Sequence, residues 1–251
     1  MRAATILAAL ALYAPLAGCV HRPTEKEQRA AENHYDLGVV EGQRGNSQMA
    51  MREYQMALEL DESFPEAHDA IGQLLHNSFH RPEDAIRHYK RALEIKPDFS
   101  KAKLNLGNVY LDLGKYDEAI LLYDQVLNDM LYEEPYLAHS NRGWSLYKKG
   151  DVKAGMESIQ MAITTNPKFC LGHKLLGLIH NEQGEFELAC NDFRHFRDTC
   201  PDAGDAYYLE GVCLTKLGKT DEALKAFVAC QTKTAAQTTK DACKQLEEKI
   251  Q

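Results

Sequence analysis

A glycine returns at a nearly fixed interval along this chain. Gly38, Gly72, Gly107, Gly143, Gly177 and Gly211 follow one another at 34, 35, 36, 34 and 34 residues. A period of that length marks one supersecondary unit used six times, and a unit so small buries its apolar face only against copies of itself. The clearest copy lies in residues 100–131, with Leu106-Gly107, Tyr110, Gly114, Ala119, Tyr123 and Val126. Apolar residues spaced i, i+3, i+4 on both sides of Gly114 predict two helices, over about 101–113 and 116–129, folded against each other. Gly107 and Ala119 are small where the helices meet, and a larger side chain there costs about 1–3 kcal/mol through overpacking. The aromatic residue of the second helix recurs as Tyr54, Tyr89, Tyr123, Phe193 and Phe227, with Ile159 in repeat four. Four residues earlier stand Ala50, Ala85, Ala119, Ala189 and Ala223, with Gly155 in repeat four. Pro97, Pro167 and Pro201 supply a stop after the second helix, because proline has no backbone donor to continue it.

These positions together resemble the tetratricopeptide repeat, over about residues 31–235. The resemblance implies an all-α fold, a right-handed superhelical solenoid of six tetratricopeptide repeats with a C-terminal capping helix. We expect one elongated solenoid rather than two globular domains. The expected boundaries are a leader over 1–18, a polar tether over 19–30, the repeats over 31–236 and the cap over 237–251. The cap places Ala242, Leu246 and Ile250 on one face. Repeat two carries an extra residue in its turn, and two more precede repeat four around 131–135. Arg142 and Glu210 occupy the position held by Leu37, Ile71, Leu106 and Leu176 elsewhere, so each charge must reach the edge or find a partner.

The first nineteen residues read as a targeting segment. Arg2 is its charged start and Ile6 to Leu12 an apolar run too short to span a bilayer. Leu16-Ala17-Gly18-Cys19 matches the bacterial lipobox, which implies cleavage before Cys19 and its acylation with palmitate-type chains. An ordinary signal peptide with an incidental cysteine is the alternative. Each buried methylene of an acyl group contributes about 0.8 kcal/mol, so several chains hold where one is marginal. Val20 rather than Asp follows the cysteine. By resemblance to lipoprotein sorting in Gram-negative bacteria, that favours the outer membrane, with the protein lipid-anchored and facing the periplasm.

Six further cysteines lie in the C-terminal third: Cys170, Cys190, Cys200, Cys213, Cys230 and Cys243. In an exported chain an even number suggests disulfides. Residues that face each other in an antiparallel helix pair have numbers symmetric about the turn. Cys170 and Cys200 are symmetric about residue 185, beside Gly184; Cys190 and Cys213 about 201.5, beside Pro201; Cys230 and Cys243 about 236.5, before the cap. Those three pairs are the expected bonds, with small buried free thiols as the alternative.

The formal charge of −8 and the lack of a basic stripe with interleaved aromatics disfavour a nucleic-acid partner. His34, His68, His139 and His173 share one repeat position, with Lys103 and Tyr207 in the other two copies. Equivalent residues in successive repeats sit a helix layer apart, roughly 8–10 Å, whereas zinc ligands lie about 2.0–2.1 Å from their metal. These histidines are therefore read as packing residues, and His76 and His80 as part of a solvated turn. No phosphate-binding loop or nucleophile motif is present in the sequence. We expect no enzyme activity, no cofactor, no metal and no small-molecule substrate.

In tetratricopeptide repeats, positions two, five, nine and twelve of the first helix point to the concave face. By that resemblance the face is lined by Tyr35, Val39, Leu104, Asn108, Leu111, Leu137, Trp144, Tyr147, Leu171, Leu178, Tyr208 and Val212, a groove for an apolar or amphipathic segment. About half of them are expected to serve as packing between repeats. The Lys/Asn clamp of chaperone-binding members is not reproduced, since Lys101, Asn105 and Asn108 fall in one repeat without counterparts in its neighbours. A lipobox, a short tether and six such repeats resemble the type IV pilus pilotins, including those that serve social gliding motility in myxobacteria. That resemblance implies a partner, the secretin subunit of the pilus machine, whose multimerisation a pilotin promotes. The second reading is an adaptor lipoprotein that scaffolds periplasmic cell-wall hydrolases or proteases.

Overall fold

A computed structural model describes residues 22–250, among which there are thirteen α-helices and no strand. Cys19 and the expected leader lie outside these residues. The chain divides into two compact units between Ser63 and Phe64. Among the described residues no helix is long and apolar enough to cross a membrane.

The first unit is repeat one, a hairpin of α1 (Glu25–Gln43) and α2 (Ser47–Leu60). Residues 25–30, expected as tether, are instead the opening turns of α1. Thr24 explains the early start: its Oγ1 accepts from the Glu27 amide at 3.3 Å, while the Glu27 carboxylate accepts from the Thr24 amide at 2.7 Å. This reciprocal cap satisfies two donors that a helix start leaves without partners.

The second unit stacks repeats two to six: α3 (Pro65–Asn77) with α4 (Pro82–Ile95), α5 (Ser100–Asp112) with α6 (Tyr116–Leu127), α7 (Pro135–Lys149) with α8 (Val152–Thr165), α9 (Cys170–Glu182) with α10 (Phe186–Thr199), and α11 (Gly204–Lys216) with α12 (Thr220–Lys233). The cap, α13 (Gln237–Ile250), packs on α12 and α11. Each second helix touches the first helix of the next repeat, and the first helices α3, α5, α7 and α9 touch in succession. These four first helices thus form one continuous layer. Pro65, Pro82 and Pro135 open α3, α4 and α7, at a position where a missing amide hydrogen costs nothing.

The repeating glycine makes room for a ring more than for a backbone. A β-carbon on Gly107 would lie 2.7 Å from the Tyr123 ring, as would one on Gly72 from Tyr89, and one on Gly177 or Gly211 would lie 2.6 Å from Phe193 or Phe227. Repeat four differs, and the reason couples its two odd residues. There a β-carbon on Gly143 would meet the Gly155 carbonyl oxygen at 2.6 Å, so the two backbones themselves touch. Glycine in place of alanine and Ile159 in place of a ring belong to one closer packing solution. The turn also has a variant: Gly114 adopts a φ of 71°, and in repeat two His80 takes the equivalent role at 53°, an unfavourable region that histidine tolerates better than most residues.

Both misplaced charges find partners on the preceding second helix. Arg142 donates through Nε to Asp124 of α6 at 2.6 Å. Glu210, only 3% exposed, accepts through both oxygens from Arg197 of α10 at 2.8 and 2.7 Å. Burial pushes the Glu210 carboxyl up in pKa and the Arg197 charge opposes that shift. Disulfides join Cys170 to Cys200, Cys190 to Cys213 and Cys230 to Cys243, with Cα separations of 6.0, 5.5 and 6.3 Å. These distances lie within the range a disulfide spans without strain.

Candidate partner-binding face

The residues expected to line a groove do not all do so. Leu104 is 5% exposed and belongs to a core cluster with Ala119, Tyr123, Val126 and Ala138, so its place on an open face is corrected here. Leu111 and Leu137 rest against the same cluster and stay partly exposed. Asn108 is engaged: its Oδ1 accepts from the Tyr123 hydroxyl at 2.9 Å and from Asn141 Nδ2 at 2.8 Å. In the first unit Tyr35 and Val39 are half-buried on α1, and the Tyr35 ring lies 5.6 Å from that of Tyr54.

Further along the layer the face turns apolar. Trp144 and Tyr147 on α7 have ring centroids 5.2 Å apart, and Lys148 Nζ stands 5.3 Å over the indole. Tyr147 donates its hydroxyl to Glu182 of α9. Desolvation, with that carboxylate, pushes the phenol up to about 12. Leu171 on α9 is 40% exposed. Leu178, Tyr208 and Val212 sit partly exposed on the core of repeats five and six, which includes Phe193, Leu214 and Phe227. Five of these side chains rest one side on a core and leave the other open, and with exposed Leu171 they can hold an apolar strip of another polypeptide.

The other end of this layer is polar and laced shut. Asp69 of α3 accepts from Asn105 of α5 at 2.8 Å and from Gln73 at 2.7 Å, with Lys101 Nζ at 3.7 Å. Burial pushes its carboxyl up, and the donors pull it back. Sequence reasoning missed this network because Asp69 and Asn105 lie a full repeat apart; the only local signal was Asp69 and Gln73 at i, i+4. His76 also departs from expectation. It is not part of a solvated turn but ends α3 with its Nε2 2.9 Å from Asp112 of α5.

The shared-position histidines pack inside their own hairpins. His68 Nδ1 lies 3.1 Å from His88 Nδ1, and the His173 and His195 rings are 5.4 Å apart. Burial, with the His68 charge second, pushes His88 down to about 4. Among the described residues no three His, Cys, Asp or Glu side chains are grouped to hold a metal.

Residues 78–131 and 174–232 each match a model of the tetratricopeptide repeat. The hairpin stack is accordingly a tetratricopeptide-repeat solenoid. Two curated relatives share part of it. The type IV pilus assembly protein PilF of Pseudomonas aeruginosa is 30% identical over 148 residues, covering 55% of this chain and 58% of the relative. The TPR repeat-containing thioredoxin TTL4 of Arabidopsis thaliana is 28% identical over 137 residues, 54% of this chain and 19% of the relative. The chain thus spans less than two thirds of either relative. Among solved structures, PilW, described as a widely conserved type IV pilus biogenesis factor, superposes with a TM-score of 0.76 at 19% identity, covering 84% of this chain and 97% of that one. At that identity the likeness is one of fold.

Proposed function

We propose that this chain is a non-enzymatic pilotin of the type IV pilus, serving pilus-driven surface motility. In this reading acylated Cys19 anchors it to the outer membrane, facing the periplasm, and the open face of the solenoid binds secretin subunits. Bringing subunits to one surface raises their local concentration, and covering their apolar segments until they meet promotes insertion and multimerisation. The observation that carries the reading is the row formed by Trp144, Tyr147, Leu171, Leu178, Tyr208 and Val212 on the first helices. The partial likeness to PilF and the shared fold of PilW support the pilus assignment.

A photocrosslinking residue at Leu171 tests the partner directly. Adducts with the secretin are expected, and adducts with cell-wall hydrolases or proteases in their place would support the adaptor reading. Trp144→Ala should weaken secretin binding by about 2 kcal/mol, the size of a buried aromatic anchor. An unchanged affinity with lowered stability would assign Trp144 to packing alone. Cys19→Ala should give a folded chain that carries no acyl group and fails to support secretin multimers; normal multimers in that variant would refute the anchoring step.

A further inference from the structure

The link between α6 and α7 displays two large apolar side chains with almost no cover: Met130 is 97% exposed and Leu131 90%. Their presentation is built rather than loose. Asp129 accepts from the Ser100 hydroxyl at 2.6 Å through one carboxylate oxygen and from the Leu131 amide at 3.0 Å through the other. Its carbonyl accepts from the Tyr132 amide at 3.2 Å, and the Tyr132 ring rests on the Leu104 and Tyr123 core. The tip is therefore pinned on both sides, and the three residues by which this seven-residue link exceeds the four-residue links before α5, α9 and α11 serve to carry it outward. Exposed Glu133 and Glu134 follow, so the knob is apolar at its point and acidic at its base.

The same unit holds a depression of opposite character. Between α10, α11 and α12 lies a cavity of about 360 Å³ whose apolar lining is Leu214, Ala226 and Ala229. Its lining carries Arg194, Arg197 and Lys225 against Glu210 and Glu222, and Glu210 lies between two of them, accepting from Arg197 and standing 3.6 Å from Arg194 Nε. In a chain of net charge −8 three basic against two acidic side chains leave this lining with one positive charge in excess. The Cys190–Cys213 bond fixes α10 to α11 and the Cys230–Cys243 bond fixes α12 to the cap, so the walls are set before anything enters. The volume falls at the small end of the roughly 300–1,000 Å³ typical of binding pockets.

We propose that the occupant of this cavity is the Met130–Leu131 knob of a second copy of this chain. The apolar tip meets the apolar part of the lining, and Glu133 and Glu134 meet Lys225 and the two arginines that share Glu210. The two patches are different surfaces, so the contact is head-to-tail and generates open chains unless the rotation closes a ring. A single knob covers far less than the roughly 1,200 Å² of a stable interface, so association is weak and lies at high concentration. It is independent of the secretin reading, since neither patch belongs to the face described above.

Sedimentation equilibrium of the full chain, from micromolar to millimolar concentration and at low and high salt, tests the proposal. The weight-average mass should climb past that of a dimer at the top of the range and fall back with salt. A knob variant, Met130→Asp/Leu131→Asp, and a pocket variant, Lys225→Glu/Ala229→Glu, should each stay monomeric with unchanged helicity. Mixed in equal amounts they should regain association that stops at one-to-one pairs, because only one intact knob and one intact pocket remain to meet. A wild-type mass that stays constant, variants that associate like wild type, or a mixture that stays monomeric would each overturn the proposal. So would phosphatidylethanolamine/phosphatidylglycerol vesicles that bind the wild type and not the knob variant, since the knob would then serve a lipid surface.

Discussion

Between repeats two and three the stack is joined by side-chain hydrogen bonds: Asp69 to Asn105 across the first helices, and His76 to Asp112 at their ends. Between repeats five and six the corresponding junction carries the Cys190–Cys213 bond, with Lys174 to Asp205 at 2.6 Å and the Arg197–Glu210 pair around it. The hairpins on either side of both junctions are alike, each with a ring over a glycine. What differs is only how neighbours are held. In a solenoid, stability is close to a sum of repeat and interface contributions, so one interface can be held by hydrogen bonds and another by a disulfide without either disturbing its hairpins.

The sharpest test of that separation removes a staple. Cys190→Ala/Cys213→Ala should lower stability by on the order of 3 kcal/mol in the chain-entropy view, read from denaturant unfolding. Amide exchange should speed up in α10 to α13 and stay unchanged in α3 to α6. A uniform loss of protection would mean that the interfaces are not separable. On the laced side, Asp69→Ala leaves the amides of Asn105 and Gln73 without their acceptor. It should cost about 2 kcal/mol, with faster exchange confined to α3 to α5.

The smallest effect is one of pH. Burial holds His88 at about 4 in the folded chain against an ordinary value near 6.5, so on acidification the unfolded chain takes up this proton first. Stability from this site is therefore complete above about 6.5 and is lost progressively as pH falls toward 4. For a half-buried ring the change amounts to about 1 kcal/mol after solvent screening. His88→Phe should flatten the slope of stability against pH in that window. Some slope should remain, because burial and the His195 charge push His173 down as well.

Much of the architecture could be read without coordinates. The glycine interval counted the repeats, and the symmetry of cysteine numbers about each turn picked out the pairs that the structure brings together. The early start of α1 was also readable, since Thr24 and Glu27 have the spacing of a reciprocal cap, yet the polar composition around them suggested a tether. Leu104 shows where reading by repeat position stops. It sits at the same repeat position as Tyr208, but Ala138 and Val126 close over it, and the repeat position alone does not say how closely the next repeat approaches.

Local rules of spacing decided which stretches are helical, where they turn and which of their faces is apolar, because those depend on residues three or four apart. Packing between repeats decided the rest: that Gly107 yields to a ring while Gly143 yields to a backbone, that Arg142 and Glu210 each face an opposite charge on the preceding helix, and that Asp69 is spoken for. Each of these depends on distances of a few ångströms between residues 12 to 36 positions apart. At that range the energy of a contact is set by how side chains meet in space, which no one-dimensional pattern carries.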